Sequence, residues 1–114
     1  MKKLEFAKKN KNYFRIKEDC TVKSYGEGKT LRSYVGFRNE TAPLISKTGY
    51  ITFAIYENRL YFKEENNGFK LTKHRNISKF ETRHKALANF IKDKQGNYNL
   101  KFDEEVGLYY IELA

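Results

Sequence analysis

For most of this chain, apolar side chains recur at every second residue, and that period confines it to strands. The run LRSYVGFR, residues 31–38, sets Leu31, Ser33, Val35 and Phe37 on one face and Arg32, Tyr34 and Arg38 on the other. YITFAIYE, residues 50–57, alternates as well, but both of its faces are apolar. A strand covered on both sides belongs inside a sheet. YFRIKEDCTVKSY, residues 13–25, reads as a strand bent near Glu18 and Asp19, with Cys20 and Val22 facing inward. GEGK, residues 26–29, is a turn in which glycine supplies positive φ. It lacks the remaining positions of a phosphate loop.

Residues 59–74 read as a hairpin. A two-residue turn at Asn67-Gly68 would set Phe62 opposite Lys73. A longer loop from Glu64 to Asn67, with Gly68 just after, sets Phe62 opposite Phe69 and Leu60 opposite Leu71 and is the expected register. YNLKF and VGLYYIEL form a closing hairpin around Asp103, Glu104 and Glu105. Its last strand is apolar on both faces, Leu108 and Tyr110 against Tyr109, Ile111 and Leu113.

One segment departs from period two. Ser78 followed by Glu81 matches a capping box, and Ile77, Phe80, His84, Leu87 and Ile91 follow at helical spacing with Ala88 alongside. Gln95 and Gly96 close it. The sequence thus predicts an α+β fold: a mostly antiparallel sheet of five to seven strands, with one helix over about residues 79–93 packed on it. The 114 residues make a single domain, of which residues 1–11 form a basic arm.

Several chemistries lack their parts. With one cysteine there is no internal disulfide and no Cys-based zinc site, and Cys20 on an apolar face reads as an inert thiol. No apolar run reaches the roughly 18 to 20 residues of a membrane helix. The basic start MKKLEFAKKNKNYF has no apolar core behind it, so it does not read as a secretory signal. The expected location is the cytoplasm, with no membrane contact and no cofactor. The three carboxylates at 103–105 lack calcium-loop spacing.

What stands out is charge, and its segregation. The formal net charge is +9. Residues 1–17 carry seven bases and one acid, residues 69–85 six bases and one acid, and residues 103–114 four acids and no base. A field of that sign attracts polyanions. The expected phosphate contacts are Lys8, Lys9 and Lys11 in the arm, and Lys70, Lys73, His74, Arg75, Lys79 and Arg83 around the expected helix N-terminus, whose amides favour anions. Tyr34, with Arg32 and Arg38 on its face, is the expected stacking platform for a base, and Tyr61 between Arg59 and Lys63 is a second.

Three functional classes follow. The first is a non-enzymatic nucleic-acid-binding module with sequence-independent phosphate contacts and tyrosine stacking, DNA or RNA alike. The second is a small inhibitor or adaptor, of the kind carried by phages or mobile elements, that binds an acidic protein surface. The third is a ribonuclease toxin using His74 and Glu81 as base and acid.

Overall fold

The computed structural model describes residues 18–113. The sequence expectations for residues 1–17, including the basic arm and Lys8, Lys9 and Lys11, lie outside the described residues. The fold is α+β and mostly strand. Ten strands form two antiparallel sheets of five. In chain order they are β1 (Cys20–Tyr25), β2 (Arg32–Arg38), β3 (Tyr50–Tyr56), β4 (Arg59–Glu64), β5 (Phe69–Lys70), β6 (Thr72–His74), β7 (Ile77–Thr82), β8 (Gly96–Tyr98), β9 (Lys101–Asp103) and β10 (Leu108–Glu112). Helix α1 (Ala42–Ile45) follows β2, and α2 (Lys85–Ile91) lies between β7 and β8. The first sheet runs β6-β7-β2-β1-β8 and the second β5-β3-β4-β10-β9.

The alternation that predicts strands also sorts their faces. On the first sheet Cys20, Val22, Val35, Phe37 and Phe80 are buried, and on the second Ile51, Leu60, Phe62 and Ile111. These two inner faces make one core. Phe37 of β2 meets Phe62 of β4 edge to face at 4.8 Å. Phe69 and Phe80 stack across the sheets at 4.9 Å. Each fully buried Leu, Ile or Phe contributes about 1.5–3 kcal/mol through removal from water. Leu87, Ala88 and Ile91 of α2 are buried too, and the helix packs on β1 and β2.

The sheets are joined at both sides by strands that bend from one into the other. β5 continues into β6 through Leu71, and β8 into β9 through Asn99 and Leu100. The Leu71 N–H donates to Gly49 O at 2.7 Å. At the second corner Asp19 Oδ2 accepts the Leu100 N–H at 2.9 Å, and Asp19 Oδ1 accepts the Thr41 hydroxyl at 3.3 Å.

Two expectations are corrected. Residues 77–82 are strand β7 and not the first turns of a helix; the helix begins only at Lys85. Ile77, Lys79 and Glu81 alternate with Ser78, Phe80 and Thr82, and pairing with β2 from Ser33 to Arg38 outweighs the capping-box pattern. Ser78 is buried and its hydroxyl donates to Asn39 Oδ1 at 2.8 Å. The hairpin expected over residues 59–74 does not form. β4 pairs with β3 across a two-residue turn at Glu57 and Asn58, and with β10 on its other side. Phe69 pairs with Ile51 instead of Phe62. Gly68 is required there for close approach: a Cβ on it would stand 2.3 Å from the Ile51 carbonyl oxygen.

Two stability tests follow. Gly68→Ala forces backbone apart and is expected to cost about 1–3 kcal/mol in urea unfolding. Ser33, fully buried on the inner face of β2, holds a hydroxyl with no hydrogen-bond partner. Ser33→Ala is therefore expected to be neutral or stabilising by up to about 1 kcal/mol, because it removes a desolvated group without loss of a bond. Destabilisation well beyond that would show that the hydroxyl is satisfied.

Candidate nucleic-acid interface

If Ser33, Val35 and Phe37 face the core, then Arg32, Tyr34 and Arg38 must face outward, since successive side chains in a strand point to opposite faces. Pairing then decides what surrounds them. Tyr34 stands opposite Lys23 of β1 on one side and Glu81 of β7 on the other. Gly36 stands opposite Lys79, Arg38 opposite Ile77, and Ile77 opposite His74. The outer face of the first sheet thus gathers Lys23, Arg32, Tyr34, Arg38, His74 and Lys79. From Arg32 to Arg38 it spans about 20 Å along β2.

Tyr34 is the centre of this face. The Lys23 and Lys79 ammonium groups each lie 5.6 Å from its ring centroid. Tyr25 meets the ring edge-on at 6.1 Å. Gly36 makes room for it: a Cβ there would stand 2.9 Å from both Cε1 and Oη of Tyr34. Burial, then the nearby Tyr25 and Glu81, push the Tyr34 hydroxyl above its ordinary pKa, so it stays neutral.

The cations are organised by carboxylates. Glu81 accepts from Lys79 Nζ at 2.9 Å and from Arg32 Nε at 3.2 Å. The Lys79 hydrogen bond holds the Glu81 carboxyl below its ordinary pKa. Arg38 bonds Glu40 through Nε at 2.8 Å and also through Nη2. Surface pairs of this kind contribute at most about 1 kcal/mol each to stability, so their main effect is on where the cations stand.

The remaining expected contacts are dispersed. Lys70 is on β5 of the second sheet, opposite Tyr50. Lys73 pairs with the buried Ser78 and so takes the other parity from His74. It lines a cleft of about 210 Å³ with Lys47 and Thr48. Arg75 occupies the β6–β7 turn with φ 57, its carbonyl bonded by Asn39 Nδ2 at 2.7 Å. Arg83 lies between β7 and α2. The expected phosphate site at a helix start around Ser78 and Lys79 does not exist, because these residues are strand. Lys23 was not among the expected contacts, although its parity opposite to the inward-facing Cys20 and Val22 was the available signal.

The second platform is also corrected. Tyr61 is buried, and its hydroxyl donates to Asp103 Oδ2 at 2.6 Å. Arg59 lies 4.4 Å over the Tyr110 ring and reaches Asp103 at 3.4 Å and Glu112 at 3.4 Å. The Tyr61 hydrogen bond holds the Asp103 carboxyl below its ordinary pKa and raises that of Tyr61 itself. This is a brace across β4, β9 and β10 that leaves Tyr61 only 8% exposed.

Nor do His74 and Glu81 converge. His74 is opposite Ile77, and Glu81 is four residues further along β7, about 13 Å away along the strand. A base and an acid so placed do not flank one phosphate. His84 precedes α2 and meets Phe53 edge-on at 5.1 Å instead of lying on a helical stripe. Cys20 is buried, which pushes its thiol strongly upward, with Asp19 adding to the shift. Among the described residues no group of three or more His, Cys, Asp or Glu is placed to hold a metal, and no helix is long and apolar enough to cross a membrane. No protein-family model, curated protein or solved structure matches the chain.

One carboxylate near the Lys73 cleft gives a pH test. Glu64 Oε1 accepts the Lys47 N–H at 2.5 Å and the Thr48 N–H at 3.1 Å, and these bonds, the first the larger, hold its carboxyl below the ordinary value. A lowered folded pKa contributes stability above the ordinary carboxylate pKa, and that contribution disappears as pH falls through the folded value. Glu64→Gln is expected to lower Tm at neutral pH, with the gap to wild type narrowing through that acid range. A gap that stays constant with pH would refute the assignment.

Proposed function

We propose that this protein binds single-stranded nucleic acid without sequence preference, with a base stacked at Tyr34 and phosphates held by Lys23, Lys79, Arg32 and Arg38. The observation that carries the reading is the pair of ammonium groups at 5.6 Å from one partly buried, outward-facing tyrosine ring. Single strands are held by this combination of an aromatic platform and flanking cations, because every base has a stacking face and every nucleotide a phosphate. The overall charge supports it as well. Of the +9, residues 1–17 account for seven bases and one acid, hence +6, and Lys8, Lys9 and Lys11 belong to that share. A cytoplasmic location goes with this reading, since a lone thiol such as Cys20 is usual in a reducing compartment.

Fluorescence anisotropy with a labelled mixed-sequence oligonucleotide tests it. Affinity is expected to fall steeply with salt. Tyr34→Ala is expected to weaken binding about tenfold to a hundredfold, the effect of losing one stacked base at about 1–3 kcal/mol. Replacing Lys23 and Lys79 together with Ala is expected to reduce the slope of log affinity against log salt by about 1.4, at roughly 0.7 per phosphate contact on a single strand. Replacing Lys92 and Lys94 is expected to change little. Absence of binding at low salt, or a Tyr34→Ala variant that binds as wild type does, would end the proposal.

A further inference from the structure

The second sheet has an unfinished edge. β3 pairs with β4 from Ile51 to Tyr56, but with β5 only at Tyr50 and Ile51. The chain then turns at Leu71 into the first sheet, so from Thr52 to Tyr56 this side of β3 has no strand neighbour among the described residues. The two-residue turn makes Tyr56 and Arg59 the closing hydrogen-bonded pair. Bonding alternates in an antiparallel ladder, so Thr52 and Ala54 also bond β4. Phe53 and Ile55 therefore direct their N–H and C=O groups to the open side. Such an edge is a template for another strand.

The edge borders a groove of about 390 Å³, lined by Phe53, Ile55, Phe69, His84 and Ala86. Its floor is aromatic: Phe53 stacks on Phe69 at 5.8 Å and is met by His84 at 5.1 Å. Its surroundings are basic. Arg83 and Lys85 flank His84 in the chain, Lys70 follows Phe69, and Lys63 pairs with Thr52. No Asp or Glu lines it.

These features choose the occupant. A backbone edge offering alternate donors and acceptors is matched by another peptide backbone, which a nucleic acid does not supply. A second copy of this chain would bring two sets of these four cations together, so self-pairing is opposed by charge. An acidic segment is favoured by the same cations. We propose that the β3 edge between Thr52 and Tyr56 accepts an extended acidic segment of another protein as an added strand, with one apolar side chain of that segment in the groove over Phe53. The site is on the other sheet from Tyr34 and stands independently of the nucleic-acid reading.

Selection of random-sequence decapeptides against the full chain tests this, followed by anisotropy and amide hydrogen exchange with the selected peptides. Enriched peptides are expected to alternate acidic with apolar residues and to slow exchange at the Phe53 and Ile55 amides. Ile55→Pro removes an outward N–H, a change that edge strands tolerate, and is expected to weaken peptide binding at least tenfold. Lys85→Glu is expected to do the same without altering the strand, which covers the case in which Ile55→Pro disturbs the fold. Oligonucleotide binding is expected to be unchanged by Ile55→Pro, so the two proposals fail separately. No enrichment, enrichment of basic peptides, protection at amides elsewhere, unaltered binding by Lys85→Glu, or self-association that protects Phe53 and Ile55 without peptide would each overturn the proposal.

Discussion

The contact between Phe37 and Phe62, at 4.8 Å, fixes more of this molecule than any other. It joins β2 to β4, each of which has a paired strand on both sides. Once Phe37 is inside, Val35 and Ser33 are inside with it, and Arg38, Tyr34 and Arg32 are on the surface. A shift of one residue in either strand would turn every side chain to the opposite face. The core would then receive Tyr34 and its cations, at a desolvation cost the fold could not offset. The outer face of the first sheet is thus a consequence of core packing. Its residues are placed by what lies beneath them.

The two bent corners complete the arrangement and also leave part of β3 without a strand neighbour among the described residues. A sheet of five strands normally has two exposed edges. Here the edge strand of each sheet runs on into the edge strand of the other, so most of the perimeter is continuous chain. The corner at Leu71 comes only two residues into β5, however, and that brevity exposes the far half of β3. The Gly49 carbonyl that receives Leu71 N–H, and the Ile51 carbonyl that lies against Gly68, hold the bend in that place. Closure at this corner and exposure of the edge have one cause.

Legibility in the sequence followed how local each signal was. Residues 32–38 were readable because the strand's own alternation states its faces, and 101–112 were readable as a hairpin. Residues 50–56 were readable as a strand but not in their place. Two apolar faces predict cover on both sides, whereas Tyr50, Ala54 and Tyr56 are exposed and half of β3 is an open edge among the described residues, because apolar character alone does not say which face is covered. The segment 77–91 was not, because it satisfies two periods. Ile77, Phe80, Leu87 and Ile91 fit a helical wheel, and Ser78 with Glu81 imitates its cap. Which period applies depends on β2 as a partner, some forty residues earlier in the chain. Asn67-Gly68 misled for a related reason: a glycine needed for contact with Ile51 looks the same in sequence as one needed for a turn. At the site, Tyr34, Arg32 and Arg38 were legible from one strand, whereas Lys70, Lys73 and His74 were not. They straddle the bend at Leu71, which sends Lys70 to one sheet and Lys73 and His74 to the other, where ordinary alternation puts those two on opposite faces.

The charge of the Tyr34 face is modest by itself. Lys23, Arg32, Arg38 and Lys79 are set against Glu81 and Glu40, a balance of four permanent cations and two carboxylates. On the proposed reading, long-range attraction of a polyanion would come chiefly from the +6 carried by residues 1–17, whose effect declines over a Debye length and with added salt. The sheet face contributes geometry. Glu81 holds Arg32 and Lys79 beside the ring through bonds of 3.2 and 2.9 Å, so on the proposed reading less of their side-chain freedom would be lost when a phosphate binds. A carboxylate in a cationic surface weakens the field it stands in, but it also orders the cations around Tyr34. In the proposed binding mode, attraction and placement are divided between different parts of the chain.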